Sequence, residues 1–89
     1  MEFGWSPAKR DKTLAERQLD FADVVAGFLD PGKKLAPDAR RDYGEDRINM
    51  LAKCGGRVFH VTYTTRGAVT WIISARKANA REQKRYERA

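Results

Sequence analysis

Arg76 stands at the end of the apolar run Val69-Thr70-Trp71-Ile72-Ile73-Ser74-Ala75, just before a basic segment. A guanidinium at the end of a buried strand is costly without a partner, and a carboxylate or a phosphate suits it best. Glu45 and Arg47 form a second cluster two residues apart, so on a strand they project from one face. By the same spacing Ile72, Ser74 and Arg76 share a face of the last strand. A central groove between these strands would gather Arg47 and Arg76 around one phosphate. Two guanidiniums in forked contact match a phosphate better than ammonium groups do. The structural alternative is that Glu45 pairs with Arg47 or Arg76 across neighbouring strands, for a modest cross-strand contribution.

Around these residues lie others with either a chemical or a structural use. Lys9, early in a first helix, could reach a phosphate or stay solvated. Tyr63 could stack on a base or fill a sheet surface. Arg66, Ser74 and Arg81 complete the candidate substrate-binding set. His60, mid-strand beside Phe59 and Val61, reads as a hydrogen-bonded sheet histidine. Tyr86, four residues after Glu82, reads as packing. The one cysteine, Cys54, precludes an internal disulfide and a multi-cysteine metal site, and its place before Gly55-Gly56 suggests a small turn residue. No metal and no cofactor are expected.

The elements that must position these residues belong to one small basic domain, residues 1–89. Lys and Arg number 18 against 12 Asp and Glu, for a formal net charge of +6. Residues 75–89 carry six cations and two anions, so the excess is concentrated at the C-terminus. Such a patch attracts nucleic acid or an acidic protein, or is simply a solvated helix face. No apolar run approaches the roughly 18 residues that a bilayer span needs. The N-terminus lacks the basic-then-apolar order of a signal peptide, so a reducing cytoplasm is the expected location.

Phe3 and Trp5 predict a short first strand with inward aromatics. Ser6-Pro7 predicts an N-cap and a helix over about 7–18, and Asp20 with Asp23 caps a second helix carrying Phe21, Val24, Val25 and Phe28. Residues 33–44 read as a short strand and a loop. From Glu45 a β meander follows, turning at Gly55-Gly56 and Arg66-Gly67, with Asp46, Ile48, Met50 and Ala52 on one face of its first strand. Asn79 and Glu82 form a capping box for a terminal helix. The fold class is therefore α+β: β-α-α, then a mostly antiparallel sheet of four to five strands and a C-terminal helix.

Five stretches, in order, resemble the BrnT-type ribonuclease toxins of bacterial type II toxin–antitoxin pairs. Phe3-Gly-Trp-Ser-Pro-Ala-Lys9 is similar to that family's opening Phe-x-Trp-Asp-Pro-x-Lys, with Ser6 replacing Asp. Residues 20–31 resemble its segment ending in Asp-Pro, residues 43–47 its Gly-Glu-x-Arg, and residues 62–67 its strand and Arg-Gly turn. The specific piece is Ile72-Ile-Ser-Ala-Arg-Lys-Ala78 followed by Arg81-Glu82 and Tyr86-Glu87. The resemblance implies a RelE-like fold, an endoribonuclease, and a partner: a BrnA-like antitoxin with a ribbon-helix-helix DNA-binding portion, DNA being met only through it. Cleavage of that kind requires the 2′-hydroxyl to be deprotonated, the phosphorane neutralised and the leaving oxygen protonated. Glu45, Arg47 and Arg76 are the catalytic candidates. Two departures favour instead a binding module that has lost catalysis: Gln18 stands where the family carries histidine, and Trp71 where it often carries arginine. Trp71 is the candidate antitoxin contact, because the aromatic residues of the first elements can cover only one side of the sheet.

Overall fold

The computed structural model describes residues 1–40 and 42–88. Alternating apolar and polar residues in the second half of the chain build three long antiparallel strands. These are β3 (Ile48–Cys54), β4 (Arg57–Arg66) and β5 (Val69–Lys77). Gly55 and Gly56 turn the first hairpin at φ of 57° and 82°, a region that costs a side chain but not glycine. The short β2 (Lys34–Pro37) adds antiparallel to β3, and β1 (Glu2–Trp5) adds parallel to β5. The sheet order is β1-β5-β4-β3-β2; its five strands, mostly antiparallel, match the expected sheet of four to five.

Helix α1 (Pro7–Arg17) starts where Ser6 accepts the Lys9 backbone N–H at 3.3 Å. Past Ile72, where the β1 pairing stops, Arg17 takes over the edge of β5 by donating Nη1–H to the Ala75 carbonyl at 3.0 Å. Helix α2 (Ala80–Glu87) begins at the expected capping box, with Asn79 and Glu82 satisfying each other's backbone N–H groups.

Three expectations need correction. The second helix, Phe21–Leu29, is a 3-10 helix rather than an α-helix. Its buried positions Phe21, Val24 and Gly27 recur every three residues, the 3-10 period. Gly27 lets its backbone lie so close to β3 that a Cβ there would sit 2.8 Å from the Cys54 sulfur and 2.9 Å from Ala52. Second, β3 starts at Ile48, so Glu45 and Arg47 belong to the preceding loop. That loop is folded around Asp38, whose side chain is fully buried and accepts two Arg40 N–H groups at 2.8 Å, while its own N–H donates to the Arg47 carbonyl. Third, Ile72 does not share a face with Ser74 and Arg76. A bulge in β5 makes Thr62 face Ser74 but Tyr63 face Ile72, with Ile73 as the extra residue. Ile72 and Ala75 therefore both enter the core.

That core lies on one side of the sheet, where Phe21, Val24 and Phe28 pack on Met50, Ala52, Val61, Ile72 and Ala75. Phe3 meets Phe28 at 5.0 Å and Trp5 meets Phe21 edge-on at 6.1 Å. A smaller cluster of Leu51, Val58 and Ala78, with Tyr86 against it, fixes α2 on the opposite side. Tyr86 Oη donates to Asp30 at 2.7 Å, and Asp30 also accepts the Lys53 N–H, so one carboxylate ties the 3-10 helix to α2 and β3. No helix among the described residues is long and apolar enough to cross a membrane.

Candidate functional site

Between α1 and α2 the sheet's second side is a polar floor. The register aligns Asn49, Thr62 and Ser74 across three strands, and beside them Leu51, His60 and Arg76. The Thr62 hydroxyl donates to the side-chain amide oxygen of Asn49 at 2.8 Å, so this buried hydroxyl is satisfied inside the floor. Cations rim it. Ser74 lines a hollow of about 230 Å³ with Lys9, Lys12 and Arg17 of α1, beside the carboxylate of Glu16. Burial lowers the Lys9 ammonium below its ordinary value, and the charges of Arg47 and Lys12 lower it further. A lysine so placed gives up its proton more readily than a solvated one.

Arg76 has the carboxylate partner that its position demands. Its Nη1 and Nη2 donate to the two Glu82 oxygens at 2.8 and 2.9 Å, a bidentate pair at the rim of the floor. The Arg76 side chain stays 39% exposed while that of Glu82 is 11% exposed, so the guanidinium still presents an outer edge. The Arg76 hydrogen bonds hold the Glu82 carboxyl down at about 2. Glu82 thus has two tasks, capping α2 and fixing Arg76, and the sequence reading found the first alone. The Arg-Glu spacing of six residues, across a strand end and a turn, has no local signature.

His60 faces Arg76 directly in the β4–β5 register and is half-buried. Burial lowers its pKa, as do the neighbouring charges of Arg76, Arg40 and Arg85, against an opposing contribution from Glu82. The imidazole is therefore neutral near pH 7 and able to accept a proton. Sequence reasoning set this histidine aside because its apolar neighbours, Phe59 and Val61, suggested burial. Those neighbours face the core, and His60 faces the other way.

Glu45, Arg47, Arg66 and Trp71 meet at the far end of the sheet. Arg66 Nε donates to Glu45 Oε1 at 3.4 Å and its guanidinium lies 4.8 Å over the Trp71 ring. Arg47 Nη2 donates to Glu45 Oε2 at 3.3 Å while its guanidinium stacks 3.9 Å over Tyr43. Arg66 in the first place, then Arg47, lowers the Glu45 pKa, which makes that carboxylate a weaker base and a better anchor for arginines. Trp71 lies against β1 at Gly4, where a Cβ would come 2.9 Å from the indole. Arg47 and Arg76 do not converge. Ile48 pairs with Tyr63 and Arg76 with His60, so the two sites lie three β4 positions apart, roughly 10 Å by the rise of a strand.

Tyr63 lies on the core side, edge-on to Phe28 at 4.9 Å, turned away from the polar floor. Arg81 is exposed on the first turn of α2, one turn before Arg85. Gln18 is exposed as the C-cap of α1 at φ 55°, the one described non-glycine residue with positive φ. Cys54 is buried, donates to the Val24 carbonyl, and has its thiol pKa raised by burial, which suits packing rather than nucleophilic chemistry.

This arrangement can hold a polyanion along a floor of hydroxyls and amides, with guanidinium, ammonium and a neutral imidazole at hand. A model of the BrnT family, described as the ribonuclease toxin of a type II toxin–antitoxin system, matches residues 5–82, and the chain belongs to that family. Membership implies an antitoxin partner. No curated protein matches the chain.

Proposed function

We propose that this member of a ribonuclease-toxin family is itself an active endoribonuclease. It would cleave cellular RNA in the cytoplasm by 2′-hydroxyl attack without a metal, until a ribbon-helix-helix, BrnA-like antitoxin covers it. The RelE-like likeness belongs to the same reading. The observation that carries it is Arg76, fixed by Glu82 yet open on its outer edge, beside a neutral histidine on a cation-rimmed floor. In this reading Arg76 neutralises the phosphorane as the 2′-oxygen bonds to phosphorus. His60 takes the 2′-hydroxyl proton. The bond from phosphorus to the 5′-oxygen breaks, and Lys9, with its lowered pKa, protonates that oxygen. Ser74 and Arg81 contact the RNA on either side. Glu45 acts through Arg47 and Arg66, which would meet phosphates further along the strand rather than the scissile one.

A second reading has a specific support: Glu82 takes one N–H of each terminal nitrogen of Arg76 and the Lys77 carbonyl accepts from Nη1 as well, so few donors are left for a phosphate. With Gln18 in place of a histidine, the chain would then be a binding module without turnover. Induced expression with an RNA-integrity assay separates the two. Growth arrest with RNA decay supports the enzyme, whereas RNA that is bound but stays intact supports the module.

A further inference from the structure

Next to Arg76 the polar floor opens into a cavity of about 440 Å³ between β2, the β3–β4 pair and the second half of α2. Pro37 and Leu51 supply its apolar walls, Asn49 and His60 its hydrogen-bonding groups, and Lys34 and Arg85 its charge. No carboxylate lines it, and among the described residues neither Lys34 nor Arg85 forms an ion pair. The volume falls within the range of small-ligand sites, which are apolar with a few placed polar groups.

The polar groups are poised in a particular way. The side-chain amide oxygen of Asn49 accepts the Thr62 hydroxyl, which turns the amide NH2 outward, and its N–H groups have no partner among the described residues. The neutral His60 ring offers one N–H and one lone pair. Donors and an acceptor thus surround an apolar surface, with cations at the mouth. A nucleobase edge, which carries both donors and acceptors, matches this set. A carboxylate, which only accepts, would use the cations and the N–H groups and leave the imidazole lone pair without a donor.

We propose that this cavity is a nucleotide subsite of the RNA path. The base lies over Leu51 within reach of Asn49 and His60, and its phosphates lie beside Lys34 and Arg85. The proposal rests on the reading of Arg76 as a phosphate ligand, because His60 joins the cavity to Arg76. The subsite would set which base flanks the phosphate that Arg76 holds.

The test is a titration of the isotope-labelled full chain, followed by NMR, with each of the four nucleoside 5′-monophosphates, inorganic phosphate and an Asp/Glu-rich peptide. Resonances of Leu51, His60 and the Asn49 side-chain amide should shift saturably. At least one nucleotide should bind about tenfold more tightly than phosphate, the worth of one or two added hydrogen bonds. Asn49→Ala should bring all four nucleotides to within about twofold of phosphate. Should that variant fail to fold, Asn49→Asp keeps the acceptor for Thr62, removes the donors and gives the same readout. Lys34→Ala should weaken nucleotides and phosphate alike, by about threefold. Equal affinity for phosphate and nucleotides, or tighter binding of the acidic peptide, overturns the subsite. A chain that cleaves RNA yet shows no nucleotide shifts here keeps its proposed activity and loses the subsite. A chain that binds nucleotides here without cleaving RNA does the reverse.

Discussion

The two sides of the sheet are made by the same three strands and are held in different ways. On the core side Met50, Val61, Ile72 and Ala75 are fully buried, and the 3-10 helix seals them with Phe21 and Val24. On the other side the same strands present Asn49, Thr62, His60, Ser74 and Arg76, each held by a named polar partner or by register alone. Interchangeable dispersion contacts hold the first side, so its stability is spread over many residues. A few directed interactions hold the second, so single substitutions there should change what the molecule does more than whether it folds.

Substitutions on each side can break that contrast. The largest stability loss should come from the core: Phe21→Ala removes a fully buried ring and should cost about 3–5 kcal/mol in denaturant unfolding, enough to unfold much of a small domain. A loss below about 1 kcal/mol would mean that the 3-10 helix is not the lid it resembles.

Glu82→Gln should cost less, about 2 kcal/mol after discounting for the exposure of Arg76. It carries a pH signature. The folded-state pKa of Glu82 lies at about 2, below the ordinary 4.5. Its contribution is therefore present above pH 4.5 and lost as the pH falls toward 2. Asp38, also held at about 2, titrates over the same range, so the measurement is the difference in melting temperature between wild type and Glu82→Gln. That difference should shrink as the pH falls from 5 to 2, and a constant difference would remove the ion pair from the account.

Trp71→Ala should leave folding nearly intact and weaken the antitoxin complex by about 2 kcal/mol, read by calorimetric titration. Unchanged affinity in a folded variant would confine Trp71 to its contacts with Gly4 and Arg66. The smallest effect should be a gain: Gln18→Gly relieves a left-handed C-cap and should stabilise the chain by about 1 kcal/mol without altering RNA cleavage. A loss of cleavage in that variant would give Gln18 a role beyond ending α1.

The core side was also the side more legible in the sequence. Alternation located β3, β4 and β5, glycines marked their turns, and two capping boxes dated the helix starts, because each of these signals is local. The polar side was legible in its composition but not in its geometry. The Ile73 bulge depends on how β4 and β5 pair, and it moved Ile72 into the core. The 38–47 loop depends on a buried Asp38 that reads in sequence as one more surface acid. The Arg76–Glu82 pair spans a strand end and a turn. The side of the sheet that His60 faces was hidden because its neighbours in the chain, Phe59 and Val61, face the core.

The central claim is that Arg76 acts on RNA rather than merely stapling α2 to the sheet. Cleavage of a defined RNA by Arg76→Ala and Arg76→Lys, with thermal unfolding followed on the same samples, tests it most directly. The account predicts that both variants stay folded at the assay temperature, that Arg76→Ala melts lower because it strands the nearly buried Glu82 carboxylate, and that cleavage by the folded protein falls by at least about a hundredfold, the scale of losing one transition-state charge contact. Full cleavage by a folded Arg76→Ala chain would contradict it.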